Sequence, residues 1–204
     1  MGKIVVVLLV LAFCAVNGFG DFLTVVNVSA PNMNCIFSPI CKVTVSDTSA
    51  PIVIPGTSGS GFLQSRTYRG VKGSQVWGLH VYEYQVDLRN VVGSLNIPSI
   101  TSMSLDFGPV GWFEYNGDGK KGVRAFVVTS GGLGSVGLSS ASKVGNTVTF
   151  NFAGGGVAAG GSPGHGQSSY FFGLVSKNTI TEVTATLTLN TGGTISVKAR
   201  SAAL

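Results

Sequence analysis

The feature that most limits how this 204-residue chain can fold is a period-two alternation of apolar and polar residues. It is clearest in residues 181–190 and recurs in residues 194–200. Successive side chains of a β-strand point to opposite faces, so each segment buries one face and exposes the other. Thr191, Gly192 and Gly193 separate the segments and favour a tight turn. The sequence therefore predicts an antiparallel hairpin, whose inward-facing residues are Val183, Ala185, Leu187, Leu189, Ile195, Val197 and Ala199.

Eight further segments have the composition of short strands, with β-branched and aromatic residues between clusters of glycine, proline, asparagine and serine. In residues 77–89 the apolar positions change parity after Val81, which predicts a β-bulge. No segment has a sustained 3.6-residue apolar period, so at most one short helix is expected, around residues 138–143. The eight predicted strands are residues 22–28, 42–46, 61–69, 77–89, 101–107, 123–129, 147–152 and 169–176.

A chain with about ten short strands and little helix must bury its apolar faces by pairing two sheets or by closing one sheet on itself. We expect an all-β fold, a two-sheet antiparallel β-sandwich of the jelly-roll type, formed by residues 19–204 as a single domain. Charged residues are only 10% of the chain, against about 25% in an average soluble domain. This composition excludes a disordered polyelectrolyte and argues against a coiled coil.

Residues 1–18 are typical of a secretory signal peptide. Lys3 precedes an apolar segment, residues 4–16, and cleavage is expected after Gly18 or Gly20. The alternative is an N-terminal membrane anchor, but the apolar segment is shorter than the about 20 residues that a span needs. We therefore expect a secreted, extracellular protein that has no membrane span after the signal is removed.

Two cysteines remain once Cys14 is removed with the predicted signal peptide. Cys35 and Cys41 most simply form one disulfide in an oxidising compartment. The loop between them is short, so the bond is expected to stabilise local structure rather than the whole fold. Asn27 begins the sequon Asn-Val-Ser, which would make the chain a glycoprotein in a host that glycosylates its secreted proteins.

Glycine is concentrated around residues 130–140 and 153–167 in a chain that has 30 glycines. Because glycine loses more conformational entropy than other residues when it is ordered, these segments are predicted to be two long mobile loops. The alternative is that they form contact surfaces, where missing side chains let the backbone approach a partner closely.

Catalytic motifs are missing from the sequence. The only histidines are His80 and His165, and neither belongs to a motif that would place it beside a nucleophile. No spacing of histidine and cysteine typical of a zinc site occurs. We expect a protein that is not an enzyme; the alternative is a secreted hydrolase that uses one of these two histidines as a base.

One short segment has the spacing of a cation-binding loop. Glu114, Asn116 and Asp118 present oxygen ligands at alternate positions, as calcium loops do. Against calcium, Lys120 and Lys121 follow directly and no closing glutamate is present. The segment is more typical of a plain hairpin turn that joins residues 112–115 to residues 123–129. Calcium is the only cofactor that the sequence suggests.

Aromatic residues occur beside arginines in two segments. Exposed aromatic faces stack on sugar rings, and arginine can hydrogen-bond to acidic sugars. The alternative is that most of these rings lie in the core, because half of each strand in a sandwich points inward. The candidate glycan-binding residues are Arg66, Tyr68, Arg69, Trp77, Tyr82 and Tyr84.

The formal net charge of +5 is spread along the chain without a basic run, so no nucleic-acid partner is expected. Low charge weakens the repulsion between copies. We therefore expect a secreted, non-catalytic structural protein of an extracellular matrix, coat, adhesive or mineralised layer, which associates with itself or with matrix components. The alternative is a lectin-like β-sandwich module that binds a polysaccharide, calcium or both.

Overall fold

The structure is a computed structural model that describes residues 20–38, 40–93, 97–115, 122, 124–131 and 133–204. The predicted signal peptide, residues 1–18, lies outside the described residues, as do Asn116 and Asp118 of the predicted calcium loop. Among the described residues, no helix has the length and apolar composition needed to cross a membrane.

The described residues form β-strands and two single-turn 3-10 helices, Met33–Cys35 and Ala153–Gly155, which confirms the all-β prediction. The strands are β1 (Asp21–Ser29), β2 (Ser46–Ile52), β3 (Thr57–Ser58), β4 (Gly61–Arg69), β5 (His80–Asp87), β6 (Val92–Gly93), β7 (Ser99–Asp106), β8 (Arg124–Ser130), β9 (Leu138–Val144), β10 (Thr147–Phe152), β11 (Val157–Ala158), β12 (Phe171–Ser176), β13 (Ile180–Leu189) and β14 (Thr194–Ala202).

Twelve of these strands belong to one mixed sheet, so the prediction of a two-sheet antiparallel sandwich is wrong. The strand order is β14-β13-β7-β10-β9-β1-β8-β12-β5-β4-β2, with β11 added to β7; β3 and β6 pair separately. The strands form one sheet because β1 pairs with a different strand along each part of its length. Its residues 21–23 pair antiparallel with β9, and its residues 24–29 pair in parallel with β8. This strand joins two halves that would otherwise be separate sheets.

The sheet curls until its two end strands approach each other. β14 lies against β2 and β4. The Arg200 guanidinium donates hydrogen bonds to the Ser46 carbonyl oxygen (2.6 Å) and to Thr67 Oγ1 (2.9 Å). The Tyr84 hydroxyl donates to the Arg200 carbonyl oxygen (2.6 Å). Side chains therefore link the two ends of the sheet, which forms an almost closed cylinder.

Replacing Arg200 with methionine tests this link. The change keeps the apolar stem but removes both hydrogen bonds, so we expect the free energy of unfolding to fall by about 1–2 kcal/mol in urea denaturation. Lys198→Met is the matched control. Lys198 pairs with Glu182 at 3.2 Å, but both side chains are more than half exposed, so its loss should change the stability by less than about 0.5 kcal/mol. Equal effects of the two variants would contradict the assigned role of Arg200.

The main core lies inside the curled sheet. The inward faces of β5, β7, β10, β12 and β13 meet there, which confirms the inward positions expected for the C-terminal hairpin. Two aromatic pairs, Phe150 with Phe172 (centroids 4.9 Å apart) and Tyr82 with Phe107 (5.1 Å), pack edge to face within it. Other members of the core are Tyr84, Val86, Met103, Leu105, Val148 and Leu187.

A second core lies on the outer face of the half of the sheet that contains β4, β5, β8 and β12. The loops 30–45, 70–79 and 109–115 cover it. The predicted disulfide is present in the first of these loops, with 2.10 Å between the sulfur atoms of Cys35 and Cys41. The residues of the second core are Val28, Ile36, Phe37, Tyr68, Val76, Val81, Phe113, Tyr115, Phe126, Val128, Phe171 and Val175.

The two cores explain the parity change that predicted a β-bulge in residues 77–89. β5 pairs with β4 in continuous register from His80 to Asp87, without a bulge. Val81 faces the second core, whereas Tyr82 packs in the main core. Apolar residues of both parities occur because both faces of β5 are buried.

Of the other predicted strands and the predicted helix, some agree with the structure and some do not. Two predicted strands, residues 61–69 and 147–152, coincide with β4 and β10. The short helix expected around residues 138–143 is instead strand β9, which pairs with both β10 and β1. The predicted strand 42–46 is wrong, because pairing with β4 begins only at Ser46.

Three glycines of residues 153–167, Gly156, Gly160 and Gly166, pack closely against this chain's own backbone. A Cβ at Gly156 would lie 2.4 Å from the Ile100 carbonyl oxygen, and one at Gly166 would lie 2.1 Å from the Leu88 carbonyl oxygen. The segment also contains β11 and one turn of 3-10 helix. The backbone approach that the sequence suggested as an alternative is thus present within the chain.

Candidate functional site

An open cleft of about 440 Å³ lies between three segments, residues 75–79, 109–113 and 176–178. Trp77 and Trp112 both line it, with 64% and 54% of their surfaces exposed. The cleft lies at the rim of the second core, since Phe113 also lines it. We call it the tryptophan cleft. Its volume falls in the range of about 300–1,000 Å³ that is usual for small-molecule sites.

Trp77 is presented by the loop between β4 and β5. The Gly70 N–H donates to the Leu79 carbonyl oxygen (2.9 Å), so the loop closes on itself. A Cβ at Gly70 would lie 1.9 Å from the Val76 carbonyl oxygen, so glycine is required at this closure. Val76 is fully buried beneath the loop. The loop is therefore anchored at Val76, and the next residue, Trp77, is directed to solvent.

Trp112 is presented by the segment that precedes the predicted calcium loop. The Gly111 N–H donates to the Val175 carbonyl oxygen (2.7 Å), which fixes this segment to β12. Phe113 is buried and packs edge to face on Phe37, with centroids 5.2 Å apart. Because Trp112 lies between these two anchors, the backbone that carries its exposed indole is held at the edge of the cleft.

Two polar residues of the cleft are used to hold its wall together. Ser176 Oγ donates to the Pro109 carbonyl oxygen (2.6 Å), and Asn178 Nδ2 donates to the Ala203 carbonyl oxygen (2.7 Å). The Tyr82 hydroxyl donates to the Asn178 carbonyl oxygen (2.9 Å). These bonds fix the turn between β12 and β13.

Two further polar residues are available to a ligand. The side chains of Gln75 and Lys177 are exposed, and neither makes a hydrogen bond or an ion pair with another described residue. The cleft thus combines two exposed aromatic faces with one amide and one ammonium group. This combination can stack on a ring with apolar C–H faces and bind the polar groups at its edge.

The six predicted glycan-binding residues do not form one site. Trp77 lies in the cleft, but Tyr68, Tyr82 and Tyr84 are buried and cannot stack on a ligand. Their burial follows from the two cores on either side of β4 and β5. Burial raises the pKa of Tyr82 to about 12 and that of Tyr84 well above its usual value. Arg69 is exposed at the end of β4, outside the lining of the cleft.

Arg66 belongs to a row of charged residues on three neighbouring strands. Asp47, Arg66 and Glu83 are directly opposite one another on β2, β4 and β5. Arg66 Nε lies 3.4 Å from Asp47 Oδ1 and 3.6 Å from Glu83 Oε2. Its guanidinium also donates to Asn34 Oδ1 (3.0 Å) and lies 5.6 Å from the centroid of the Phe171 ring. Arg66 therefore links the sheet to the disulfide-containing loop and is not free to bind a sugar.

Glu83 is fully buried in this row. The Tyr68 hydroxyl donates to its Oε1 at 2.9 Å, while Oε2 has no hydrogen-bond partner. Burial raises the pKa of Glu83 to about 7, against the opposing effect of Arg66. Sequence analysis did not single out Glu83, because its partners are known only once β2, β4 and β5 are in register.

The remaining predicted site residues are dispersed. Of the calcium loop only Glu114 is described; among the described residues no group of three or more histidine, cysteine or acidic side chains could hold a metal ion. Calcium binding therefore stays a prediction. Asn27 is exposed on β1, so its sequon is accessible, and its glycosylation likewise stays a prediction.

The two histidines lie at opposite ends of the neighbouring strands β5 and β12. His80 begins β5, where partial burial and the nearby Arg69 lower its pKa. His165 is exposed in the loop before β12. Neither imidazole makes a hydrogen bond to another described residue. The expectation that the protein is not an enzyme stays a prediction.

Comparison of the chain with protein-family models, with characterised proteins and with solved structures finds no match. The function must therefore be argued from the site itself.

Proposed function

We propose that this protein is a secreted carbohydrate-binding module that holds a polysaccharide in the tryptophan cleft. The observation that carries the proposal is that Trp77 and Trp112, both more than half exposed, line one open cleft. Secretion is supported by the Cys35–Cys41 disulfide and by the predicted signal peptide, residues 1–18.

Exposed tryptophans are costly to a protein that does not use them. Tryptophan has a large apolar surface, and clustered exposed apolar residues mark sites of interaction. Here each tryptophan is next in sequence to a buried residue, Val76 before Trp77 and Phe113 after Trp112, which anchors the loop that carries it. Because the anchors restrain the loops before a ligand arrives, little ordering entropy is lost on binding.

The other sequence-based hypothesis, a self-associating structural protein, remains a second proposal without a particular contact in its favour. Pairing between copies needs free strand edges. The end strands of the sheet instead approach each other and are linked through Arg200. We therefore favour polysaccharide binding in the tryptophan cleft over self-association.

The chain has two tryptophans, and both line the cleft, so selectively excited tryptophan fluorescence reports on the candidate site without a contribution from the five tyrosines. We expect a bound polysaccharide to shift the emission to shorter wavelength. Trp77→Ala and Trp112→Ala should each weaken binding by about 5- to 10-fold, which corresponds to about 1–1.4 kcal/mol per stacked ring. The double variant lacks tryptophan fluorescence and is assayed by affinity electrophoresis. Its migration should not be retarded by polysaccharide in the gel.

Val53→Ala is the matched control, since Val53 is an exposed apolar residue outside the cleft. It should bind as the unsubstituted protein does. Binding that survives in the double tryptophan variant would place the ligand elsewhere, and the absence of binding to every polysaccharide tested would remove the proposed function.

A further inference from the structure

The charge of the tryptophan cleft, where the structure describes it, is positive. Among the described residues, its lining contains one charged residue, Lys177, and no aspartate or glutamate. Lys177 is exposed and forms no ion pair with another described residue. The part of the cleft that the structure describes therefore presents one positive charge, without an acidic residue in its lining, beside two aromatic faces.

The position of Lys177 is set by its neighbours. The Asn178 N–H donates to Ser176 Oγ (3.2 Å), and Ser176 Oγ donates to the Pro109 carbonyl oxygen (2.6 Å). These bonds tie the turn that carries Lys177 to the segment that carries Trp112. The ammonium group is thus attached to a fixed backbone at the cleft, while its stem can adjust to a ligand.

We infer that the tryptophan cleft selects an acidic polysaccharide, one whose sugar rings carry carboxylate or sulfate groups. This inference rests on the proposed function and specifies its ligand. The sugar rings stack on Trp77 and Trp112, the anionic group pairs with Lys177, and the Gln75 amide hydrogen-bonds to ring hydroxyls. Because Lys177 is exposed, its ion pair is weak and is screened by salt.

Single-stranded nucleic acid also combines negative charge with rings that stack on aromatic residues. Proteins that bind it have a basic groove that follows several phosphates. The described lining of the cleft contains one basic residue, and the sequence has no basic run. An acidic polysaccharide, in which ring stacking supplies most of the affinity and charge adds selectivity, agrees better with this composition.

The test compares matched neutral and anionic polysaccharides by tryptophan fluorescence at low salt. The pairs are polygalacturonate and its methyl ester, carboxymethylcellulose and hydroxyethylcellulose, and dextran sulfate and dextran; oligo(dT) is included. We expect at least one anionic polymer to bind about 5-fold more tightly than its neutral counterpart, with the preference lost at high salt. The first two pairs test a carboxylate and the third tests a sulfate.

Lys177→Gln should reduce the preference for the anionic polymer by about 2- to 5-fold and leave the binding of the neutral polymer unchanged. Lys198→Gln is the control, because it removes the same charge from an exposed lysine outside the cleft. Equal binding of both polymers in every pair, unaffected by Lys177→Gln, would overturn the inference but leave the proposed function intact. Failure of all the polysaccharides would overturn both, as would tighter binding of oligo(dT).

Discussion

Replacing Arg66 with methionine is expected to destabilise the protein by about 1–2 kcal/mol at pH 5 and by up to about 1.4 kcal/mol more at pH 8. The extra loss is limited because the variant can keep Glu83 protonated one pH unit above its pKa of about 7. At pH 8 the fully buried Glu83 is ionised in the folded protein and needs the positive charge of Arg66, 3.6 Å away. At pH 5 it is protonated, and the variant loses packing on Phe171 and the hydrogen bonds to Asn34 and to the Met33 sulfur. Asp47, which is half exposed, adds little. Urea denaturation at both pH values measures the difference.

The ionisation of Glu83 should also make the free energy of unfolding of the unsubstituted protein depend on pH. The pKa of Glu83 is raised from 4.5 to about 7 in the folded protein, mainly because burial disfavours its charge. Between these values the folded chain keeps a proton that the unfolded chain has released, so raising the pH favours unfolding. The contribution to stability is complete below about pH 4.5 and is lost as the pH rises through about 7, a change of about 3 kcal/mol.

Glu83→Gln provides the control for both effects, since glutamine can still accept the hydrogen bond from Tyr68 and carries no charge. Its stability should vary less with pH across this window than that of the unsubstituted protein. In the double variant Arg66→Met, Glu83→Gln the extra loss at pH 8 should disappear. If Arg66→Met were equally destabilising at both pH values, the ion pair with Glu83 would not be the reason for its effect.

Gly173→Ala is expected to cost at least about 3 kcal/mol of unfolding free energy, more than most single-methyl insertions, which cost about 1–3 kcal/mol. Gly173 lies near the middle of the sheet, where β12 pairs with both β5 and β8. A Cβ there would lie 1.8 Å from the Tyr82 carbonyl oxygen and 3.0 Å from Cζ of Phe126. The first contact is with backbone, so a rotamer change cannot relieve it, and the paired strands must separate.

The measurement is urea denaturation, together with the yield of protein whose near-ultraviolet circular dichroism is unchanged. Gly161→Ala is the matched control, because a Cβ at Gly161 meets nothing within 4 Å and its backbone is outside the left-handed region. It should leave the stability within about 0.5 kcal/mol. A Gly173→Ala protein with full yield and the same denaturation midpoint would show that β12 tolerates a side chain at this position.

Local pattern was sufficient to predict elements whose environment is the same along their length. β10 and the hairpin of β13 and β14 alternate strictly because one of their faces lies on the main core. The same rule wrongly predicted a bulge in β5, since that strand is buried on both faces. A period of two shows that a face is buried, but it does not show how many cores the sheet will have.

Long-range pairing could not be predicted in this way. The parallel contact of β1 with β8, which merges the two halves of the sheet, depends on segments that are distant in the sequence. The same applies to the tryptophan cleft, where loops from three parts of the chain meet. Trp77 was recognised as a candidate from its neighbours, whereas Trp112 was assigned to a hairpin, because exposure is decided by anchors such as Val76 and Phe113 rather than by local sequence.

The position of β1 also determines when the chain can fold during its synthesis. Thr24 pairs with Arg124, and Leu23 pairs with Ala141. The first strand therefore cannot pair until about a hundred further residues have been synthesised. Contacts of such separation slow folding and leave hydrophobic strands exposed in the meantime. In an emerging chain, β1 therefore stays unpaired and open to chaperones until residues 124–143 have left the ribosome.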